Sequence, residues 1–169
     1  MFTPKTRLII LIGCLILGGI SFYQDKIYAL IVVVLIAVTN VYGYFRQGTV
    51  YLAFKTLKKG NYEEAMQQLE LTRYVKLLSK TQKSYYYFVR GFINMAKGLL
   101  NEANEDFKLS IEKGLRLSND RALAWSNLAS INHRQKNKVK ARECLSEAKK
   151  HKAKRNVKDE IERLEVAID

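Results

Sequence analysis

The sequence predicts an all-α chain: a two-helix transmembrane hairpin, then an α-solenoid of three helix pairs, then a C-terminal capping helix. Three observations predict it. Two runs without a single charge, 8–23 and 27–45, are separated only by Gln24, Asp25 and Lys26. A short helix-start pattern then recurs at a constant spacing of 38 residues, as GNYEEAMQQL from Gly60, GLLNEANEDF from Gly98 and KNKVKARECL from Lys136. Finally, Val157, Ile161, Leu164 and Ile168 fall at helical spacing in the last segment, with Asp159, Glu160, Glu162 and Glu165 assigned to the opposite, outward face.

The boundaries that follow are 1–46 for the hairpin, 47–155 for the three repeats and 156–169 for the cap. At about 1.5 Å per residue the run 27–45 extends about 28 Å, close to the roughly 30 Å hydrocarbon core of a bilayer. The run 8–23 is shorter, and needs Phe2, Lys5, Arg7 and Tyr23 in the headgroup zone. So short a connection returns both chain ends to one side. Lys5 and Arg7 precede the first run and Arg46, Lys55, Lys58 and Lys59 follow the second, so the positive-inside bias places the termini and the repeats in the cytoplasm, as suits a bacterial inner membrane. A cleaved signal is disfavoured because no small-x-small site precedes Gln24. The stretch LIGC ending at Cys14 resembles a lipobox, but the residues after it stay apolar, so Cys14 is read as a small residue facing lipid or the partner helix. Cys144 is the only other cysteine, and no disulfide framework is available.

Laid on the repeat, Ala65, Ala103 and Ala141 coincide, with Leu69, Phe107 and Leu145 four residues on, and Ala53, Gly91 and Ala129 form a small-residue column in the preceding helix. Residues i and i+4 share a helix face, and small residues let neighbouring helices approach. In the third unit Trp125-Ser-Asn-Leu128-Ala129 is followed by Ala141-x-x-x-Leu145. These residues resemble the tetratricopeptide repeat (TPR), with its W-x2-L-G-x2-Y first helix and A-x3-F second helix, over residues 48 to 155. Thr56, Asn94 and Asn132 depart from the family's Tyr, Lys136 replaces the turn Gly, no unit ends in Pro, and the period exceeds the usual 34. Longer connections account for the excess, assigned to Lys80–Ser84 and Gly114–Asn119.

The resemblance implies that the first helix of each pair lines a concave groove. The groove residues are then Val50 and Phe54, Tyr85, Phe88, Phe92 and Met95, and Ser126, Ser130 and His133, with Tyr87 matching a buried Trp125. Such a groove suits a peptide or amphipathic helix of a membrane-associated protein partner, with Tyr85, Phe88 and Phe92 as apolar anchors and the last three residues supplying hydrogen bonds. The alternative is that the C-terminal helix folds back over these rings. The places where chaperone-tail binders clamp a carboxylate hold Val50, Phe54, Val89, Leu123 and Asn127, which include neither Lys nor Arg.

Catalytic chemistry is not expected, nor a cofactor or metal: His133 and His151 are assigned to different helices without ligand-spaced partners, and no phosphate-binding glycine loop is present. The net charge of +13 concentrates in a basic surface of Arg134, Lys136, Lys138, Lys140, Lys149, Lys150, Lys152, Lys154 and Arg155. Anionic lipid headgroups or nucleic acid are its candidate partners. The absence of interleaved aromatics argues against single-stranded nucleic acid, leaving a nucleic-acid tether as the second reading behind a membrane-anchored protein-interaction scaffold.

Overall fold

The computed structural model describes residues 4–24, 26–47 and 49–168, with side chains at residue 6, at 8–43 apart from 25, and from 49 onward. Phe2, Lys5, Arg7, Asp25, Arg46 and Gly48 therefore lie outside the described residues or side chains. All regular structure among the described residues is helical.

Helices α1 (Pro4–Tyr23) and α2 (Ile27–Gln47) pack against each other as a hairpin. Pro4 occupies the first helical position, where its missing N–H has no intrahelical partner to lose. Cys14 is buried in the seam, and Gly18 lies against Val33, whose Cγ1 is 3.6 Å from where a Cβ would stand. Among the described residues no helix is long and apolar enough to cross a membrane. The two spans expected at 8–23 and 27–45 are therefore not supported among the described residues.

Three hairpins follow: α3 (Val50–Leu57) with α4 (Tyr62–Glu70), α5 (Lys80–Ala96) with α6 (Leu100–Glu112), and α7 (Ser118–Arg134) with α8 (Lys138–Lys149). Helix α9 (Arg155–Ile168) lies on α7 and α8 and closes the far end with Val157, Ile161 and Ile168 buried. The repeat is visible in the packing: Ala65, Ala103 and Ala141 are each 0% exposed, as are Ala53 and Ala129, and Leu69, Phe107 and Leu145 are buried beside them. At Gly91 a Cβ would stand 3.1 Å from the Phe107 ring, so the aromatic fills the space that the missing side chain leaves.

Each hairpin turn is built the same way. Gly60, Gly98 and Lys136 adopt positive φ of 82°, 77° and 60°. Their N–H groups donate to Leu57, Met95 and His133 carbonyls, and the next residues, Asn61, Leu99 and Asn137, donate back to Thr56, Asn94 and Asn132. This is the Schellman closure, which satisfies helix-end carbonyls and requires a left-handed residue. Asn61 and Asn137 then cap the next helix, accepting from Glu64 N and Lys140 N at 3.1 Å. The departures from the family pattern also share a place: Thr56 donates to Gln68 and Asn94 to Asp106 at 2.9 Å, and Asn132 lies 3.9 Å from Cys144 Sγ, each tying a first helix to its second.

Two assignments change. Lys80–Ser84 belong to α5, and the connection is instead 71–79, containing a short 3-10 turn, Val75–Leu77. Helix α4 ends early because Thr72 bonds Thr49 at the start of α3. Gly114 lies in the second connection with φ of 85°, but Ser118 and Asn119 of the expected Gly114–Asn119 segment belong to α7.

A left-handed Lys carries a steric cost of about 1–2 kcal/mol that Gly avoids. Lys136→Gly should therefore stabilise the chain by about 1 kcal/mol and Gly98→Ala should destabilise it by a similar amount. Urea unfolding read through the single Trp125 measures both.

Candidate functional site

The first helices face a cleft of about 380 Å³. Its floor is Phe54, Phe88 and Phe92, its side Leu123 of α7, and its rim Lys58 and Tyr62 at the first turn, with Lys154, Asn156 and Val157 at the entry to α9. The aromatics hold one another edge to face, with Phe88 and Phe92 centroids 5.0 Å apart and Phe92 and Phe107 5.2 Å apart. Lys58 lies over the Phe54 ring at 4.3 Å. Asn119 Oδ1 accepts from the Lys154 backbone N–H at 2.8 Å, which fixes where α9 begins relative to the cleft.

The expected groove residues divide by helical column. Phe54 and Phe92 line the cleft with partly open rings. Val50, Phe88 and Ser126 share a column, and all three are buried: Val50 packs in a cluster with Val89 and Ile93 of α5, Phe88 packs with Ala124 and Leu128 of α7, and Ser126 meets Glu160 of α9. This face of each first helix is covered by the next unit, so Val50 and Ser126 are not groove residues. Phe88, 1% exposed, forms the floor without being an accessible anchor. Met95 packs into the central core, and Ser130 and His133 lie outside the cleft lining. His133 stands in the column of Leu57 and Met95, and its buried Nδ1 has no hydrogen-bond partner.

Tyr85 is a tie as well as a ring. Its hydroxyl donates to Asp120 Oδ2 at 2.7 Å, joining α5 to α7. Burial first, and then this bond, push its phenol far above the ordinary range, so it stays a donor. Tyr87 and Trp125 are both partly buried, and Trp125 packs against the central and the C-terminal core clusters. Tyr86 and Tyr87 flank the Arg90 guanidinium at 5.5 and 5.1 Å. Arg90 in turn donates through Nε to both oxygens of Asp106 at 2.9 Å. Asp106 is 1% exposed, and it also accepts from Asn94, whereas the Arg90 side chain is more than a third exposed, so water screens the pair from one side.

The basic surface is mostly exposed on and around α8, with Lys149 paired to Glu165 and Lys150 to Glu147. Lys154 leaves this set to join the cleft rim. His151 falls in the turn after α8 rather than on a helix. Among the described residues no group of three or more His, Cys, Asp or Glu is placed to hold a metal. Glu160, assigned to the outward face, instead points inward, where Ser126 donates to it at 3.4 Å. Burial raises its pKa, and the Ser126 bond offsets only part of that. Leu57, Lys58, Tyr62 and Asn156 are not among the expected site residues; the only sequence signal for them is their proximity to Gly60 and to the capping segment.

Because the folded Glu160 holds its proton more tightly than the unfolded one, stability falls as pH rises from the ordinary glutamate value through the raised one. Glu160→Gln should therefore be the more stable form at neutral pH, by less than about 1 kcal/mol since water screens the half-buried carboxylate. The advantage should vanish below the ordinary glutamate range, as urea midpoints at several pH values would show. No family model matches this chain, and no curated protein or solved structure matches it.

Proposed function

We propose that the protein is a membrane-anchored, TPR-like scaffold that receives an apolar segment of a protein partner in the cleft over Phe54, Phe88 and Phe92. The observation that carries this reading is the cleft itself: an aromatic floor, with Phe92 packed edge to face on Phe88 and Phe54 tilted against it, opens between three first helices and the entry of α9. Helix α9 packs on α7 and α8 and reaches the cleft only with its first turn, so the floor is rimmed rather than sealed. Rigid aromatic surface of this kind gives contact area at low conformational cost. Lys58 and Lys154 on the rim favour a partner segment with carboxylates beside its apolar anchors.

Anchoring is supported by the character of α1 and α2. Leu15, Phe22 and Tyr28 are more than three-quarters exposed, Ile9, Val32, Leu35 and Val38 more than half, and the described side chains from Leu8 to Phe22 and from Ile27 to Gly43 include no charge. Contiguous exposed apolar surface on this scale is unfavourable in water and is matched by lipid. On this reading the repeats stand on the cytoplasmic side of a multi-pass membrane protein, at the surface of a membrane such as the bacterial inner membrane. Tethering raises the effective concentration of the cleft near membrane-bound partners, so a weak contact suffices.

A photo-crosslinking residue at Tyr62, on the cleft rim, should trap a discrete protein partner in intact cells, whereas the same residue at Val139, exposed on α8, should not. Equal trapping at both positions, or trapping at neither, would count against the cleft as the binding site.

A further inference from the structure

The connection between the first and second repeats carries a feature that neither later unit has. Helices α6 and α8 continue to positions equivalent to Tyr74 and Arg73, whereas α4 stops at Glu70 and the chain runs on through 71–79. Thr72 is held at the start of α3: the Thr49 N–H donates to Thr72 Oγ1 at 3.2 Å, the two hydroxyls lie 2.9 Å apart, and the Thr49 hydroxyl also donates to the Gln68 carbonyl. Thr49 follows Gln47, the last residue of α2, by only two positions. Two residues of chain reach at most about 7 Å, comparable to the depth of one headgroup layer.

This connection has three distinct edges. Val75 and Leu78 turn inward and pack against the first-repeat core. Leu71, Tyr74 and Leu77 point out, 60%, 55% and 54% exposed. Arg73 and Lys76 are exposed between them. Lys76 and Leu77 stand on the 3-10 turn itself, Tyr74 precedes it directly, and Arg73 comes one residue before that. From Leu71 to Lys83 there are four Lys and Arg and no Asp or Glu.

We propose that residues 71–77 form a foot that seats the first repeat on an anionic phospholipid surface, with Leu71, Tyr74 and Leu77 entering the headgroup zone and Arg73 and Lys76 meeting lipid phosphates. Charge selects this occupant: an apolar edge with four cations and no carboxylate from Leu71 to Lys83, against the single exposed Glu70 before it, complements an anionic interface. Position selects it too, since the Thr49–Thr72 bonds hold the foot at the end of α2. The foot gives the stack the cover that α9 provides at the other end. It rests on the reading that the α1–α2 hairpin lies in a bilayer.

The test uses the full chain with Cys14→Ala and Cys144→Ala, reconstituted into vesicles of phosphatidylcholine with one-third phosphatidylglycerol. Single spin labels are placed through Leu77→Cys on the foot, Leu35→Cys on α2 and Val139→Cys on α8, all at exposed positions. Accessibility to oxygen relative to a water-soluble nickel chelate should be several-fold higher at 77 than at 139, and highest at 35. A label at 77 as aqueous as that at 139, with 35 still in lipid, overturns the foot and leaves the hairpin reading intact. A label at 77 shielded from both reagents also overturns it, by showing a protein contact there. If 35 is aqueous, the hairpin reading fails and the foot fails with it.

Discussion

The close approach of two helices within each pair is the constraint on which the stack depends. It is met by omitting side chains. Ala53, Gly91 and Ala129 on the first helices, and Ala65, Ala103 and Ala141 on the second, leave room that large residues then fill. In the middle pair Phe107 occupies the space over Gly91, and the same ring stacks edge to face with Phe88 and Phe92. Core packing and cleft floor are therefore one cluster, and a change at Gly91 reaches the cleft through one aromatic neighbour. Interiors packed at this density transmit displacements rather than absorb them.

Polar groups register the pairs that apolar packing brings together. Non-directional burial alone would tolerate a helix sliding along its partner, whereas the Thr56–Gln68 and Asn94–Asp106 bonds and the repeated Schellman turns each admit one alignment. Bonds between units include Tyr85 to Asp120 and Gln135 to Asn101, and Ser126 to Glu160 and Asn119 to Lys154 tie α7 to the capping segment. Two of these ties reach the cleft, through Asp120 and through the Asn119–Lys154 bond at its rim.

The all-helical class, the 38-residue spacing and the small-and-large columns were legible because local periodicity carries them. Lys136 was legible as a departure, and its left-handed backbone shows that position, rather than residue type, dictates the turn. The groove was only partly legible. Val50, Phe88 and Ser126 lie on a face that the following unit buries, and helical phase cannot separate that face from the neighbouring one that stays open when both are apolar. The early end of α4 depends on Thr49 meeting Thr72, and the inward turn of Glu160 depends on how α9 docks; neither is encoded within one helix. The rim formed by Tyr62 and Lys154 joins residues more than ninety positions apart, beyond the reach of any local pattern.

The claim that a missing side chain at one position and an aromatic ring at another form a single packing unit is open to a direct measurement. In the detergent-solubilised full chain, urea unfolding followed through Trp125 compares Gly91→Ala, Phe107→Leu and the double variant. Overpacking at Gly91 should cost about 1–3 kcal/mol alone, and the smaller leucine should relieve it, so the double variant is more stable than the sum of the single losses by about 1 kcal/mol or more. Losses that add to within about 0.5 kcal/mol would mean the two residues are independent, contradicting the packing on which the stack and its cleft are built.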